Sequence, residues 1–166
     1  MGFFENTRKP QGFGGKIMVK MMNIGHSKLA KWGFTKIYAK SNAKVLDIGC
    51  GGGANIVNWL GKCSTGHVTG IDYSKVSVEE SKKLNAVAIN QGKCEIVYGD
   101  VSSMPFDDEA FDCVSAFETV YFWEDLEKCF AEVHRVMKNG GTFLICNESD
   151  GTNFKDEKWA KKIGGM

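Results

Sequence analysis

The stretch Asp47-Ile48-Gly49-Cys50-Gly51-Gly52-Gly53 decides the fold of this 166-residue chain. It ends the apolar run Val45–Ile48, which is typical of a buried strand, and precedes a helical pattern from Ile56 to Leu60. Glycines adopt the positive φ angles of a tight strand-to-helix turn and let a ligand approach the backbone closely. The pattern therefore predicts a strand, a ligand-binding turn and a helix in succession. A purely structural turn is the alternative.

The chain beyond this stretch alternates predicted strands and helices. Four further apolar runs predict strands, at His67–Ile71, Glu95–Tyr98, Phe111–Phe117 and Thr142–Cys146. Amphipathic stretches predict helices at Lys75–Asn90 and Asp125–Lys138, and Asn139-Gly140-Gly141 ends the second of them. This alternation implies right-handed crossovers and a doubly wound, mostly parallel α/β sheet with helices on both faces. Ligands of such sheets bind beyond the carboxyl ends of the strands.

The segment before the first strand follows a different pattern. Met1–Gly15 contains four glycines and one proline, which predicts a mobile arm. Lys16–Lys40 is predicted to be helical, with Ile17, Met21 and Ile24 on one stripe and a break near Asn23-Ile24-Gly25. We therefore expect an arm and helical cap over residues 1–43, a core over 44–149 and a tail over 150–166.

The composition is that of a globular protein, with 43% hydrophobic and 25% charged residues. A formal net charge of +1 predicts binding neither to nucleic acid nor to a membrane surface. The six cysteines form no Cys-x-x-Cys pair and several lie in apolar runs, which predicts no metal site and a reducing, cytoplasmic location. The first ten residues lack the apolar core of a signal peptide, and no stretch approaches the length of a membrane span.

The glycine spacing fits more than one cofactor class. Gly49, Gly51 and Ala54 match the dinucleotide fingerprint G-x-G-x-x-A, and Asp72 follows about twenty residues later, where an acid accepts hydrogen bonds from ribose hydroxyls. Several cofactors contain an adenosine ribose, so Asp72 does not distinguish between them. Asp47 distinguishes between these cofactors, because a carboxylate at the strand end would crowd a pyrophosphate but suits a ligand with a positively charged amino group.

Further motifs complete an ordered series along the chain. Gly99-Asp100-Val101 ends the third strand, in position to hydrogen-bond an adenine amino group. Together with Val45–Gly53, Ile71–Ser74, Phe111–Val114 and Arg135–Gly141, it resembles the class I S-adenosylmethionine-dependent methyltransferases from about Lys44 to Glu148. The stretch Met22–Trp32 is similar, less specifically, to the helical cap of small-molecule members of that family.

The resemblance implies a Rossmann-like sheet of order 3-2-1-4-5 that binds S-adenosyl-L-methionine and releases S-adenosyl-L-homocysteine. The glycine loop would contact the methionine part, Asp72 the ribose and Gly99–Val101 the adenine. Phe117 and Glu118 would line the cavity near the methyl group. The full set of implied cofactor-binding residues is Asp47, Gly49, Cys50, Gly51, Gly53, Asp72, Tyr73, Ser74, Gly99, Asp100, Val101, Phe117 and Glu118.

The catalytic residue is not identified by these motifs. Methyl transfer is an in-line displacement that needs alignment and exclusion of water but no metal, and it needs a base only if the acceptor must lose a proton. His26 and Glu118 are candidates, each with a plain alternative: a cap histidine without a role, and a cavity-lining carboxyl group. Tyr121-Phe122-Trp123 fits either an apolar acceptor wall or ordinary packing. The acceptor is expected to be a small molecule.

Members of this family continue past the fifth strand with another helix and two strands. This chain stops at Met166, so strands 6 and 7 are missing and the fifth strand is expected at a sheet edge. Either a homodimer forms through that edge or the tail covers it. Two functional alternatives remain: a domain that binds S-adenosylmethionine without turnover, and an NAD(P)-dependent oxidoreductase. The second is disfavoured because no Tyr-x-x-x-Lys set is present.

Overall fold

The computed structural model describes residues 9–148 and contains a five-stranded parallel sheet. The strands are β1 (Lys44–Ile48), β2 (His67–Asp72), β3 (Cys94–Tyr98), β4 (Phe111–Phe117) and β5 (Met137–Cys146). Their order is β3-β2-β1-β4-β5, and all four pairings are parallel. The predicted doubly wound α/β fold and its strand order are confirmed. Within the described residues β5 pairs only with β4, so it lies at the edge.

Helices cover both faces of the sheet, and two of them come before the first strand in the chain. They are α1 (Gly12–Gly25), α2 (Ser27–Phe34), α3 (Ala54–Lys62), α4 (Lys75–Leu84), α5 (Ala86–Asn90) and α6 (Leu126–Val136), with a 3-10 turn at Val120–Phe122. One core cluster joins Trp59 of α3 to the sheet, and a second joins Val133 of α6 to it. Because strand residues alternate between faces, α3 and α6 cover opposite sides. In addition, α1 packs against α4, and α2 packs against β5.

The stretch Lys75–Asn90 forms two helices rather than the one that its pattern predicts. The break is at Asn85, whose side-chain amide donates to the carbonyls of Ser81 (3.0 Å) and Gly53 (3.2 Å). Asparagine competes with helical backbone bonding in this way, which favours a helix end. The contact to Gly53 ties the end of α4 to the start of α3.

The last strand begins earlier than its apolar run predicts. Met137 already pairs with Phe111, and an irregularity in the ladder follows before Thr142 pairs with Cys113. Lys138 Nζ lies 2.7 Å from Asp112 Oδ1, which holds this first section against β4. The predicted helix end at Lys138 is therefore two residues too late, because side-chain pairing draws Met137 and Lys138 into the sheet.

The N-terminal region is more ordered than predicted. The helix α1 starts at Gly12, so the expectation of a mobile arm reaching Gly15 is wrong for Gly12–Gly15. Gly15 packs so closely on Pro10 that an added Cβ would lie 2.8 Å from the Pro10 carbonyl carbon. The helix break predicted near Gly25 is present at His26. The predictions for residues 1–8 and 149–166, including the tail over 150–166, lie outside the described residues.

All six cysteines are free and buried. Burial raises the pKa of their thiols, for example that of Cys94 to about 11. Among residues 9–148, no group of three or more His, Cys, Asp or Glu side chains could hold a metal ion. Over that same part of the chain, the helices are too short or too polar to cross a membrane.

Candidate active site

The glycine loop turns sharply between β1 and α3. Gly49 has a φ of 67° and Gly51 a φ of 52°, both in the left-handed region that favours glycine. A Cβ added to Gly49 would collide with the Thr119 side chain, whereas one added to Gly51 would meet nothing within 4 Å. Gly49 is therefore required by packing. Gly51 exposes its backbone to open space.

Asp72 holds this loop to the end of β2. Its Oδ2 accepts the Gly51 N–H at 2.9 Å and its Oδ1 accepts the Ser74 N–H at 2.8 Å. The backbone of the loop adds two more bonds, since the Gly49 and Cys50 N–H groups both donate to the Ile71 carbonyl. Burial raises the pKa of the Asp72 carboxyl group, and the two backbone N–H groups partly offset this effect. The loop and the acid thus form one unit.

A cleft with two cavities lies over this unit. The first, of about 240 Å³, is bounded by the glycine loop, the cap helices α1 and α2, and the end of β4. The second, of about 570 Å³, extends from the loop to the end of β3 and the start of α6. Five residues line both cavities, so the two lie side by side: Gly49, Asp72, Tyr73, Thr119 and Phe122. The cleft lies at the carboxyl ends of the strands, as expected for this architecture.

Ten of the thirteen predicted cofactor-binding residues line this cleft. The first cavity contains Cys50, Gly51, Phe117 and Glu118, the second contains Gly99, Asp100 and Val101, and both contain Gly49, Asp72 and Tyr73. Their roles toward a ligand stay predictions.

Three predicted residues lie behind the lining. Gly53 precedes α3, and Ser74 caps α4 while its hydroxyl donates to the Pro10 carbonyl at 2.7 Å. Asp47 is buried and accepts a 2.6 Å hydrogen bond from the Ser115 hydroxyl, which in turn accepts one from the Trp59 indole. Burial raises the pKa of Asp47 to about 7, the Ser115 bond opposes this rise, and the charge of Asp72 adds to it.

Glu118 is the acidic group at the end of β4. Its φ of 55° is unusual for a residue other than glycine, and such strain costs on the order of 1 kcal/mol. Tyr121 Oη donates to its Oε2 at 2.9 Å, and the Glu148 N–H donates to its Oε1. Burial, followed by the charge of Glu118, raises the pKa of Tyr121. Strained backbone of this kind clusters at functional sites.

The aromatic run Tyr121-Phe122-Trp123 contributes both to the cavity wall and to ordinary packing. Phe122 lines both cavities, whereas Trp123 borders the second cavity but also packs into the core and against Phe130. His26 lines the first cavity, at the junction of α1 and α2.

Several residues that line the cleft were not predicted from the sequence. Asn23 of α1 and Asn55 and Asn58 of α3 line the first cavity, and Thr119 lines both. Thr119 could have been predicted, because it follows Glu118 at the carboxyl end of a strand, where ligands of such sheets bind. The asparagines carried no such signal, since polar residues on a helix usually face solvent.

Residues 46–145 match the methyltransferase domain family. The chain belongs to this family. The resemblance to class I S-adenosylmethionine-dependent methyltransferases is thereby confirmed. The methyltransferase domain also resembles a Haloferax volcanii protein solved in complex with the Trm112 methyltransferase activator. The TM-score is 0.84 at 23% identity, over 97% of this chain and 67% of that one. This similarity shows the fold.

Curated relatives include sterol methyltransferases. The methyltransferase domain is 38% identical over 106 residues to cycloartenol-C-24-methyltransferase 1 of Oryza sativa subsp. japonica, covering 64% of this chain and 30% of that enzyme. It is 29% identical over 136 residues to a sterol 24-C-methyltransferase of Neurospora crassa, covering 78% and 36%. The chain therefore spans about a third of the length of these relatives.

Proposed function

We propose that this chain binds S-adenosylmethionine in the cleft and transfers its methyl group to a sterol or a similar apolar acceptor. The observation that carries the proposal is that the two cavities lie side by side over the loop from Gly49 to Gly52, with Asp72 lining both of them. An elongated ligand can then lie across the loop, with one end at Asp100 and the other at Glu118.

The residues present fit the cofactor. Gly51 leaves room for a ligand directly above the backbone. The Asp72 carboxyl group accepts two backbone N–H groups and one side-chain hydrogen bond from Ser77, so one lone pair remains for a ribose hydroxyl. When bound, the cofactor would supply a methyl group on a sulfonium that leaves readily. The chain would align the two reactants and exclude water between them.

The acceptor class rests on two observations. The relatives described above carry names that specify methylation of sterols at carbon 24. In this chain, the lining of the first cavity includes a set of apolar side chains, Val19, Met22, Leu29, Ala30, Phe117 and Phe122, beside polar ones. Apolar walls with a few polar groups are typical of pockets for small apolar ligands.

Glu118 is the group that we assign to positioning near the transferred methyl. Tyr121 and the Glu148 N–H fix its carboxyl group from two sides, so it is held in one orientation at the cavity wall. A fixed negative group there would favour the positive charge that the methyl group brings to the acceptor. His26 lines the same cavity and is the second candidate.

Binding is tested by calorimetric titration with S-adenosylmethionine, S-adenosylhomocysteine and NADH. We expect the first two ligands to bind and NADH not to bind. Binding of NADH alone would support the oxidoreductase alternative and end the methyltransferase proposal.

Turnover is tested with S-adenosylmethionine carrying a labelled methyl group and cycloartenol as acceptor. Label in the sterol supports the full proposal, and Glu118→Gln should then lower kcat more than it raises KM. Binding of S-adenosylhomocysteine without transfer to cycloartenol would contradict the sterol acceptor. If a panel of other small molecules also stays unlabelled, the result would favour a domain that binds the cofactor without turnover.

A further inference from the structure

The outward side of α1 carries a row of apolar side chains that the other described residues, 9–148, leave exposed. Phe13 is 80% exposed, Ile17 47%, Met21 54% and Ile24 77%. They recur at intervals of three or four residues, which places them on one side of the helix. We call these four residues the outer face of α1. It contains the stripe found in the sequence, which points away from the core.

The opposite side of the same helix is occupied. Gly15, Met18 and Val19 are buried, and Val19, Met22 and Asn23 line the first cavity. Among the described residues, α1 therefore packs on the protein through its inner side. Exposed contiguous apolar patches on a folded protein mark binding surfaces for protein or membrane.

The charge around this face is mostly positive. From Lys9 to Lys44 the chain contains eight lysines and neither aspartate nor glutamate, although the whole chain carries 21 basic and 20 acidic residues. Lys20, Lys28 and Lys31 are exposed. One acidic group lies near: the pKa of Glu80 on α4 is lowered first by its bond to Lys83 and less by Lys20 and Lys16. The region around α1 is thus strongly basic, and the remainder is acidic.

We propose that the outer face of α1 docks on the surface of an anionic lipid membrane. An apolar row flanked by lysines on one helix is the pattern of helices that lie in the membrane interface. Apolar side chains enter the acyl boundary while lysines contact anionic headgroups, and each lysine near the surface adds to the binding. Nucleic acid would use the lysines but gain little from four exposed aliphatic and aromatic side chains.

This inference goes beyond the proposed function and does not depend on it. It also departs from the expectation of no membrane contact, which rested on the net charge of the whole chain. The near-zero net charge conceals the segregation of basic residues into the cap. Because the inner side of α1 lines the cleft, the proposed membrane face and the first cavity are separated by one helix. An apolar acceptor dissolved in lipid would then have a short path to the cavity.

Sedimentation with lipid vesicles tests the proposal without cofactor or acceptor. The chain is mixed with vesicles of phosphatidylcholine alone or of phosphatidylcholine with phosphatidylserine, at low and high salt. A double variant, Phe13→Ala with Ile24→Ala, removes the two most exposed side chains of the outer face. The matched control is Leu84→Ala with Val87→Ala on α4 and α5, where the side chains are 52% and 72% exposed. Alanine favours helix at all four positions, so folding is retained.

We expect binding to the anionic vesicles, weaker binding at high salt, and little binding to phosphatidylcholine alone. The outer-face variant should bind about tenfold more weakly, from loss of apolar burial, and the control variant should match the unmodified chain. Absence of vesicle binding would overturn the proposal, as would an equal effect of the two double variants. Preferential binding of single-stranded RNA in a competition would assign the basic surface to nucleic acid instead.

Discussion

Replacing Asp47 by asparagine should remove most of the pH dependence of stability between pH 5 and pH 8. Burial raises the pKa of this carboxyl group from its ordinary value of 3.8 to about 7. Asparagine has nearly the same shape and its carbonyl accepts the same hydrogen bond from Ser115, but it does not titrate. The variant therefore changes the charge behaviour of the site and keeps its packing.

The direction in which the free energy of unfolding changes with pH follows from proton binding. Between pH 3.8 and 7 the folded chain holds the Asp47 proton and the unfolded chain does not, so the free energy of unfolding falls as pH rises. A shift of three pKa units corresponds to about 4 kcal/mol, because one unit is worth ~1.4 kcal/mol. About 3 kcal/mol of this is lost between pH 5 and pH 8. Above pH 7 the ionised group contributes no further change.

The measurement is urea unfolding of the ligand-free chain at several pH values, for the unmodified protein and the variant. Titrating groups that do not interact with Asp47, the three histidines among them, contribute equally to both proteins. The difference between the two curves therefore reports Asp47 together with its coupling to Asp72. Glu95→Gln, on the exposed side of β3, is the control and should leave the curve unchanged.

Parallel curves for the unmodified protein and Asp47→Asn would refute the reasoning, because they would show that Asp47 is ionised throughout the range. A variant that loses stability relative to the unmodified protein as pH rises would show instead that the ionised carboxylate stabilises the fold. The expected result is a variant whose stability relative to the unmodified protein rises by about 3 kcal/mol between pH 5 and pH 8.

Three further predictions concern the cofactor loop and the fold. Asp72→Ala should weaken binding of S-adenosylhomocysteine by about 1–3 kcal/mol in a titration, because hydrogen bonds to a charged group are lost. Unchanged affinity in a folded variant would show that Asp72 does not contact the ribose. Gly49→Ala should lower the melting temperature, because its φ is 67° and the methyl group has no space, whereas Gly61→Ala in the exposed last turn of α3 should raise it. Arg135→Gln should lower the free energy of unfolding by roughly 2–4 kcal/mol, because Arg135 bonds two carbonyls and two carboxyl groups. The control Lys128→Gln on the same helix should leave it within about 0.5 kcal/mol, and an equal loss in both variants would contradict the prediction.

The strands and the loop were predictable because their signals are local. Buried parallel strands are short apolar runs, and a glycine-rich turn between strand and helix needs positive φ angles that few other residues adopt. Element ends were less predictable, because long-range pairs decide them. Asn85 ends α4 through its bond to Gly53, and Lys138 enters β5 through its ion pair with Asp112.

The candidate site was predictable where it follows strand ends and not elsewhere. Gly49, Asp72 and Asp100 lie in the cleft because parallel strands place their carboxyl ends at one edge of the sheet. Asn23 reaches the same cleft only because α1 packs beside the loop. Asp47 has the right spacing for a ligand contact but is buried behind the lining, since Ser115 lies opposite it on β4.

The sequence by itself determined the succession of strands and helices, the glycine turn and the acids at three strand ends. These depend on periodicity and backbone preference, which neighbouring residues set. Only the tertiary structure decided which side of α1 is covered, where the strained Glu118 points and which carboxyl group has its pKa raised to about 7. Those properties depend on the packing of residues far apart in the chain, and burial rather than residue type controls both the exposure of a side chain and its charge.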